Sequence, residues 1–578
     1  MDHAENLRTN RFTGFFSSGF NWIRTLRKRE EQFLVVLAVM IGVLTGLAVV
    51  AFILLTERLG SRMYPAGGAA WRRLIVPTIG ALASGWLLSK YFPEARGSGI
   101  PQTRGAMELH GGRISLRTIL GRFFVSSASL ASGIALGREG PSVQIGAGIA
   151  SVLGRKLGLG PARLRQLIPV GAAAAIAAAF NTPIAAVLFT LEEVVGNLHA
   201  PVLGLIVIGS VTSWAVLQTF LGDNALFHVP AYQLVNPGEL LIYAFLGVAG
   251  GLLSTVFVKA VLRIRLFFAT LPAATRPYQP VAGGILVGAL GMFLPQVLGV
   301  GYDYVDQVLN GDIALRIVLL LIPLKLIATA VCYGSGNAGG IFGPSLFFGA
   351  MLGGAVGSAA HALLPGSTAT PGAYALVGMG AAFAGIIRTP MTSVFMIFEL
   401  TRDYSILVPL MIANMTSYII ASHLQKKSIY IALAEQDGIH LQEHRTQTDS
   451  RSRTVLMAMT ADPSLVAPGT LLSELPEETA GGLFLVANGG KLMGVVPVAS
   501  VKKALVEGQH GLSIGDLAAR SSAYPHVHPD HPIELAIERM GQSGLQSLPV
   551  VDRADIAKLR GIISVNDVLR AYGPEPAA

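Results

Sequence analysis

The sequence predicts an all-α polytopic membrane protein, built from two inverted-topology repeats of short, tilted and broken helices, followed by a cytoplasmic α+β pair. Of the 578 residues, 52% are hydrophobic and only 13% are charged, with a mean hydropathy of +0.56. Soluble domains carry about 25% charged residues. Residues 33–425 hold only 13 of the 34 Asp and Glu, and the other 185 residues hold the remaining 21. This contrast indicates a large membrane domain with a soluble tail.

Six basic residues precede the first apolar run, which extends from Phe33 to Thr56. That placement is typical of positive-inside anchoring, so we expect a cytoplasmic N-terminus and no nucleic-acid partner, despite the net charge of +9. The run is too long for the core of a signal peptide. Residues 12–26 mix aromatic and polar side chains, which predicts an interfacial helix within a cytoplasmic segment 1–32.

Twelve apolar segments follow between residues 33 and 424, many of them interrupted by Gly or Pro. Several are shorter than the ~20 residues that cross a bilayer, a pattern typical of transporters built from inverted repeats. Ala-rich stretches at 172–189 and 378–399 each contain a Thr-Pro turn and lead towards glutamate. We therefore predict a membrane domain over 33–436 with halves at about 33–221 and 238–425. Lys426 and Lys427 after the last span predict a cytoplasmic C-terminus.

A polar segment, 437–453, is predicted to be a linker, because it lacks apolar periodicity. Two units follow, at 454–510 and 511–574. The second shows a helix over 531–544, strands over 547–552 and 561–564, and a helix over 566–573. The first shows the same order more faintly, so the tail is predicted to be a pseudo-dimeric module.

Three glycine-rich segments lie inside the membrane domain: Gly97-Ser-Gly-Ile-Pro101, Gly137-Arg-Glu-Gly-Pro-Ser142 and 334–345. Gly ahead of Pro is typical of a helix N-terminus. Such ends expose unpaired N–H groups and the positive end of the helix dipole, so they attract anions. Three of them converging would coordinate an anion without a full positive charge. The alternative is that these glycines serve tight packing between helices.

Glu139 lies at one of these helix starts, deep in an apolar region, where an ionisable group is costly unless it serves a function. Its carboxylate would compete with an anion for the same N–H groups, and protonation would remove it. Proton movement would thereby be coupled to anion movement. The alternative is a glutamate that caps its helix and pairs with Arg138.

Glu192 and Glu193 end an apolar helix and are either surface carboxylates at the cytoplasmic rim or a second proton station. Adjacent helical positions point about 100° apart. Only one of the two could therefore face the interior.

The three segments resemble, in order and spacing, the signature motifs of the CLC chloride channel and transporter family, and the two tail units resemble CBS domains. The resemblance implies the CLC fold, a homodimer with one pathway per subunit, and chloride and protons as transported ions in a bilayer. We expect a bacterial-type inner membrane. Glu139 would be the gating glutamate, and Glu193 the internal proton glutamate of the family's exchangers. The implied chloride site comprises Ser98, Gly99, Ile100, Arg138, Glu139, Gly140, Ile341, Phe342 and Tyr430.

Two departures from the family pattern bear on this expectation. Gln102-Thr-Arg104 follows the first segment, where many members have an acidic residue. The first CBS unit is degenerate, whereas the second retains Ser564 and Asp567, candidates for contacts with an adenine nucleotide. The alternative for the tail is a purely structural role. No cofactor is expected to be required for transport.

The sequence favours a chloride/proton antiporter, because an acid at position 193 is typical of the exchangers. A passive voltage- or pH-gated chloride channel with the same pore is the alternative. An enzyme is disfavoured, since the spans contain no nucleophile–base pair or metal-ligand motif. A divalent-cation transporter is disfavoured by the acid-poor pore segments. We expect no metal at His526, His528 and His531, which lie in a Pro-rich loop, and a packing role for the single cysteine, Cys332.

Overall fold

The computed structural model describes residues 30–65, 68–198, 201–222, 227, 235–439, 441, 454–461, 463–476, 479, 481–519 and 524–572. The chain divides into two compact units, Met1–Glu443 and His444–Ala578. The interfacial helix predicted over 12–26 and most of the linker predicted over 437–453 lie outside the described residues. The domain boundaries given above stay predictions.

The first unit is helical throughout its described part. Its first eight helices are α1 Glu30–Met63, α2 Arg72–Lys90, α3 Ile100–Glu108, α4 Leu116–Ala131, α5 Glu139–Lys156, α6 Pro161–Phe180, α7 Pro183–Phe189 and α8 Leu203–Leu221. The next eight are α9 Glu239–Thr270, α10 Pro280–Phe293, α11 Tyr302–Asn310, α12 Leu315–Gly334, α13 Phe342–Leu363, α14 Pro371–Ile387, α15 Pro390–Thr401 and α16 Leu407–Leu424. A short helix, α17 Ile429–Gln436, follows them.

The two sets of eight helices correspond one to one, so that each helix of the first half has its equivalent eight helices later. Helices α3 and α11 are both nine residues long, and each begins directly after a glycine, Gly99 or Gly301, with φ of +101° or +89°. Helices α6 and α14 both begin at Pro and end at a left-handed residue, Asn181 or Arg388. The predicted repeat is therefore present in the structure.

Contacts between the halves are reciprocal. Gly137 and Gly340 exchange backbone N–H···O hydrogen bonds of 2.7 Å in an antiparallel bridge. Since these glycines open the equivalent sequences Gly-Arg-Glu-Gly-Pro-Ser and Gly-Ile-Phe-Gly-Pro-Ser, the two halves run in opposite directions where they meet. This is the contact that a two-fold relation between inverted repeats produces.

Small residues bring the central helices together. A Cβ atom on Gly171 would lie 2.2 Å from the carbonyl oxygen of Gly146, and one on Gly378 would lie 2.3 Å from that of Gly349. Close helix approach of this kind is typical of membrane proteins, in which packing replaces the hydrophobic driving force between helices. Within the described residues, seven helices are long and apolar enough to span a membrane. The protein is therefore a multi-pass membrane protein.

The second compact unit, His444–Ala578, contains two small α+β parts, here called layers, each formed by one sheet and its helices. The first has strands β1 Leu465–Val466, β2 Leu483–Asn488 and β3 Lys491–Pro497, with β1 parallel and β3 antiparallel to β2. The second has an antiparallel pair, β4 Ser547–Val551 and β5 Leu559–Ser564. Five short helices complete the unit: α18 Val455–Ala458, α19 Val498–Val506, α20 Ile514–Ala519, α21 Ile533–Ser543 and α22 Val565–Tyr572. The helix–strand–strand–helix order predicted for the second layer is present, with β5 beginning two residues before the predicted strand.

Candidate functional site

The three glycine-rich segments meet around Gly140. A Cβ atom on Gly99 would lie 2.3 Å from the carbonyl oxygen of Gly140, and one on Gly140 would lie 2.2 Å from that of Ser98. One on Gly340 would lie 3.1 Å from the Gly140 backbone nitrogen. The glycines thus serve the close packing considered as an alternative above. That packing also brings the N-termini of α3, α5 and α13 together.

Glu139 is completely buried, and its carboxylate lies at the N-terminus of α13. Oε2 accepts a 3.1 Å hydrogen bond from the backbone N–H of Gly343, the second residue of that helix, and Oε1 accepts one from the Tyr302 hydroxyl. The carboxylate therefore occupies the position at a helix end that suits an anion. The alternative in which Glu139 caps its own helix and pairs with Arg138 does not describe this arrangement.

The Arg138 side chain contacts Glu57 and Tyr302. Its Nη1 lies 3.3 Å from Oε1 of Glu57, and its guanidinium lies 5.7 Å from the centroid of the Tyr302 ring. Its Nε is also buried and makes no hydrogen bond within the described part of the chain. Tyr302 was not predicted from the sequence. The signal was present, since Gly299-Val-Gly-Tyr302 occupies the same place in the second half as Gly97-Ser-Gly-Ile100 in the first.

Two buried hydroxyl groups belong to the first glycine segment and to α17. Ser98 and Tyr430 are 0% and 1% exposed. The two hydroxyls are close enough to influence each other, but neither makes a hydrogen bond of normal geometry within the described part of the chain. Buried polar groups are rarely left in this condition. Two neighbouring buried hydroxyls of this kind supply donors that suit a small anion.

The backbone at the start of α13 adds further donors. Ile341 and Phe342 are the N-cap and first residue of the helix, and both are completely buried. Their N–H groups have no acceptor in the helix's own ladder. The Phe342 ring packs at 4.8 Å from Phe180 and 4.4 Å from Phe383, which fixes the helix start.

Two buried basic side chains hold the segments that carry Ser98 and Tyr302. Arg122 on α4 donates to the carbonyl of Gly97 at 2.7 Å. Lys325, on the equivalent helix α12, donates to the carbonyl of Gly299 at 2.6 Å. Both side chains are completely buried, and these partners are neutral oxygens. The guanidinium of Arg122 stays charged, so it favours an anion nearby.

Glu193 is 5% exposed and lies on a π-helical turn, Thr190–Val195, that continues α7. Such turns are rare and are frequent at functional sites. Oε1 of Glu193 lies 4.0 Å from Nη1 of Arg104, which comes from α3. Tyr430 lies within electrostatic range of both Glu139 and Glu193. The inward orientation of only one of the paired glutamates agrees with the angular argument made from the sequence.

Glu192 turns to the opposite half of the protein. Its carboxylate accepts hydrogen bonds from the backbone N–H groups of Met391 and Thr392, 3.2 and 2.8 Å long, at the start of α15. Glu399, near the end of α15, accepts two from Ile184 and Ala185 at the start of α7, 2.8 and 2.7 Å long. The two glutamates therefore cap each other's helices.

A cavity of about 660 Å³ opens beside Gly97, on the side of the molecule where α17 ends. Arg96, Arg265 and Arg276 line it, and Asp437 is the one carboxylate among the lining residues that the structure describes. Arg265 forms an ion pair with Asp437. The lining therefore carries an excess of positive charge next to the segment that bears Ser98.

In the second unit, a cavity of about 540 Å³ is lined by residues from both layers, including Thr479, Lys502 and Ser564. Asp567 is not among the lining residues within the described part of the chain. Its Oδ2 accepts hydrogen bonds from the backbone N–H and hydroxyl of Ser564, 2.9 and 2.6 Å long. The two residues predicted to contact a nucleotide thus form a capping box at the start of α22.

No group of three or more His, Cys, Asp or Glu side chains in the described ranges is arranged to hold a metal ion. The rings of His526, His528 and His531 contact one another edge to face in sequence, with centroids 5.3 and 4.7 Å apart. Cys332 is buried, with Sγ 3.6 Å from the carbonyl oxygen of Gly283. Its position is that of a packing residue.

The helices are broken and repeated, three helix N-termini converge, and a buried carboxylate occupies an anion position at one of them. These features define a class of multi-pass membrane protein that handles anions. Sequence comparison agrees with this class. The voltage gated chloride channel family model matches residues 79–422, and the CBS domain model matches residues 514–573. The chain belongs to the voltage-gated chloride channel (CLC) family and carries a CBS domain.

Known proteins with similar sequences or structures include two bacterial relatives and one crystal structure. A ClcB-like chloride channel protein of Ralstonia nicotianae is 38% identical over 62% of this chain and 85% of its own. The H(+)/Cl(-) exchange transporter ClcA of Vibrio campbellii is 34% identical over 60% of this chain and 76% of its own. The crystal structure of a slow cyanobacterial Cl-/H+ antiporter covers 71% of this chain and 99% of its own, with 26% identity and a TM-score of 0.66.

Proposed function

We propose that this chain is a chloride/proton antiporter, which moves chloride and protons in opposite directions across a membrane. The observation that carries the proposal is the Glu139 carboxylate, held at the N-terminus of α13 by the Gly343 N–H. A carboxylate in an anion position can be displaced by an anion or removed by a proton. The names of the Vibrio relative and the cyanobacterial structure support the same activity.

The exchange follows from competition for one set of donors. The ionised carboxylate closes the pathway, because it occupies the helix end that attracts anions. Protonation removes its charge and most of its attraction to the Gly343 N–H, so the side chain leaves and chloride takes its place. The Ser98 and Tyr430 hydroxyls then provide the next donors along the path. Neutral donors of this kind bind chloride without holding it too tightly to leave.

Protons use Glu193 as their inner station. This side chain is buried and lies on the far side of Tyr430 from Glu139 in this scheme, and Tyr430 is within electrostatic range of both. A proton that enters from the cytoplasm would reach Glu193 first and Glu139 second. The chloride and proton routes therefore coincide at Glu139 and separate below it.

The membrane, the orientation of the chain and its oligomeric state are part of the same proposal. The protein lies in a bacterial inner membrane with both termini in the cytoplasm, since basic residues flank the first and last spans. It forms a homodimer. Each chain contains every segment of its own site, so each subunit has an independent pathway.

We also propose that the cavity in the second unit binds an adenine nucleotide. Its volume, about 540 Å³, lies in the range of small-ligand sites. The Lys502 ammonium and the Thr479 and Ser564 side chains supply the charge and hydroxyl groups that phosphate and ribose require. Calorimetric titration of the full chain with ATP tests this assignment, and Ser564→Ala should weaken binding. Absence of heat at millimolar ATP would leave the tail with a structural role.

The experiment for transport uses purified protein in liposomes, with a chloride gradient and no initial proton gradient. We expect proton movement opposite to chloride, and reversal of both when the gradient is reversed. Glu139→Gln should abolish proton movement. Glu193→Gln should abolish it as well but retain chloride flux. The matched control is Glu192→Gln, which removes the neighbouring carboxylate and should retain proton coupling.

A passive chloride channel is the second candidate, favoured by the name of the Ralstonia relative. In that case the wild type would carry chloride without moving protons. Glu193→Gln would then have no effect on ion coupling, and Glu139 would act only as a gate. This outcome would overturn the exchange proposal.

A further inference from the structure

A buried guanidinium lies between two carboxylates at the inner proton station. Nε of Arg104 lies 2.7 Å from Oε1 of Glu108, one turn further along α3, and Nη1 lies 4.0 Å from Oε1 of Glu193. The side chains of Arg104, Glu108 and Glu193 are 1%, 21% and 6% exposed. Arg104 therefore connects a partly exposed carboxylate to the buried one proposed to carry protons.

The other ionisable groups around Glu193 are a carboxyl group and a phenol, and neither carries a positive charge. Glu192 is adjacent on the same π-helical turn, and Tyr430 approaches from α17. Of these neighbours, Arg104 is the cation, and a positive charge 4.0 Å from a carboxylate oxygen favours the ionised carboxylate. In a buried setting this influence is large, because little water screens the charges.

We propose that Arg104 is a positioning residue that sets how readily Glu193 accepts a proton, and that Glu108 tunes this property by competing for the guanidinium. The proposal rests on the exchange function proposed above. A proton that binds Glu193 must first give up the attraction between the carboxylate and Arg104. Proton entry is thereby opposed without closing the chloride path.

Glu108 acts on the same guanidinium from its other edge. Arginine presents its donors in a planar fork, so Nε and Nη1 serve different carboxylates here. When Glu108 is ionised, it neutralises part of the positive charge that Glu193 feels. When Glu108 is neutral, the full charge acts on Glu193. Two changes in the same ion-pair chain should therefore have opposite effects on proton entry.

The test measures chloride-driven proton uptake in liposomes as a function of pH, with chloride flux recorded in the same vesicles. Arg104→Gln should raise the pH of half-maximal proton uptake by about one to three units, the shift that a charge at 4–6 Å typically causes. Glu108→Gln should lower it. Arg104→Lys retains the charge and should restore most of the wild-type profile.

Arg117→Gln provides the matched control, because it removes the same charge from an exposed position on α4 and should leave the profile unchanged. Opposite shifts for Arg104→Gln and Glu108→Gln, with chloride flux retained, would establish the proposal. Unchanged profiles, or shifts in the same direction, would overturn it and leave Arg104 as a structural residue.

Two further comparisons keep the result interpretable. If Arg104→Gln does not fold, Glu108→Gln still tests the direction of the effect from a more exposed position. If the wild type moves no protons, the exchange function itself fails. That result differs from an exchanger whose pH profile ignores Arg104 and Glu108.

Discussion

Replacing Tyr302 by Phe tests whether the gate is held closed by competition with chloride. The Glu139 carboxylate has two hydrogen bonds in the structure, one from the Tyr302 hydroxyl and one from the Gly343 N–H. The substitution removes the first and leaves the ring, which also packs 5.7 Å from the Arg138 guanidinium. The carboxylate should then be held by the helix end alone.

A hydrogen bond to a charged group contributes about 1.5–3 kcal/mol. Since each 1.4 kcal/mol corresponds to a tenfold change in an equilibrium constant, the carboxylate should lose a factor of about 10 to 150 in its competition with chloride. Half-maximal chloride flux should therefore occur at a chloride concentration lower by up to that factor. The maximal rate of flux need not change.

The assay is chloride flux into proteoliposomes at fixed pH over a series of chloride concentrations. Tyr304→Phe serves as the control, because it removes the same hydroxyl two residues along the helix, about 200° around its axis. Tyr304→Phe should leave the half-saturating concentration unchanged. If Tyr302→Phe also leaves it unchanged while flux is normal, the carboxylate is not retained by the tyrosine, and competition at the helix end is the wrong account of gating.

Three further predictions concern stability and recruitment of chloride. Glu192→Gln and Glu399→Gln each weaken a cap on the opposite half and should each cost about 1 kcal/mol, seen as a lower melting temperature in detergent. Arg96→Gln removes positive charge from the 660 Å³ cavity and should raise the chloride concentration needed for half-maximal flux from that side, with less effect at high salt. Arg263→Gln, on the exposed side of α9, is the control and should not raise it. Burial and the neighbouring His528 lower the pKa of His531 in the folded state, so the neutral imidazole stabilises the fold. The stability of the tail should therefore decrease as the pH falls below about 6.5. His531→Asn should reduce this pH dependence in denaturant titrations of the full chain.

The sequence predicted the positions of the glycine segments because the signal for each helix start lies within the segment itself. Gly ahead of Pro ends one segment and begins a helix, regardless of what lies elsewhere in the chain. Glu139 could be placed in this way, whereas the role of Ser98 came from the family resemblance. Tyr302 was missed because Gly299-Val-Gly-Tyr contains no proline to mark the helix start, and only alignment of the two halves relates it to Gly97-Ser-Gly-Ile.

The paired glutamates show where local reasoning ends. A separation of 100° predicts that Glu192 and Glu193 face different ways, but not which one faces the pathway. The choice depends on Met391 and Thr392, about 200 residues later in the chain, whose N–H groups hold Glu192. The contact between Arg104 and Glu193 likewise joins α3 to the end of α7. Such contacts are set by tertiary structure, and sequence periodicity does not report them.

The functional side chains lie where two equivalent backbones differ in sequence. Glycines, the Thr-Pro turns and the reciprocal caps are the same in both halves, and they build the fold. At equivalent positions the halves diverge at the residues that the proposed exchange uses: Ser98 and Val300, Ile100 and Tyr302, Glu139 and Phe342, Glu193 and Leu400. A perfectly symmetric pair of repeats would present the same helix end, with the same occupant, to both sides of the membrane. Because only one half supplies the carboxylate, and the other supplies the helix end and tyrosine that hold it, the proposed exchange has a gate and an inner proton station without equivalents in the other half.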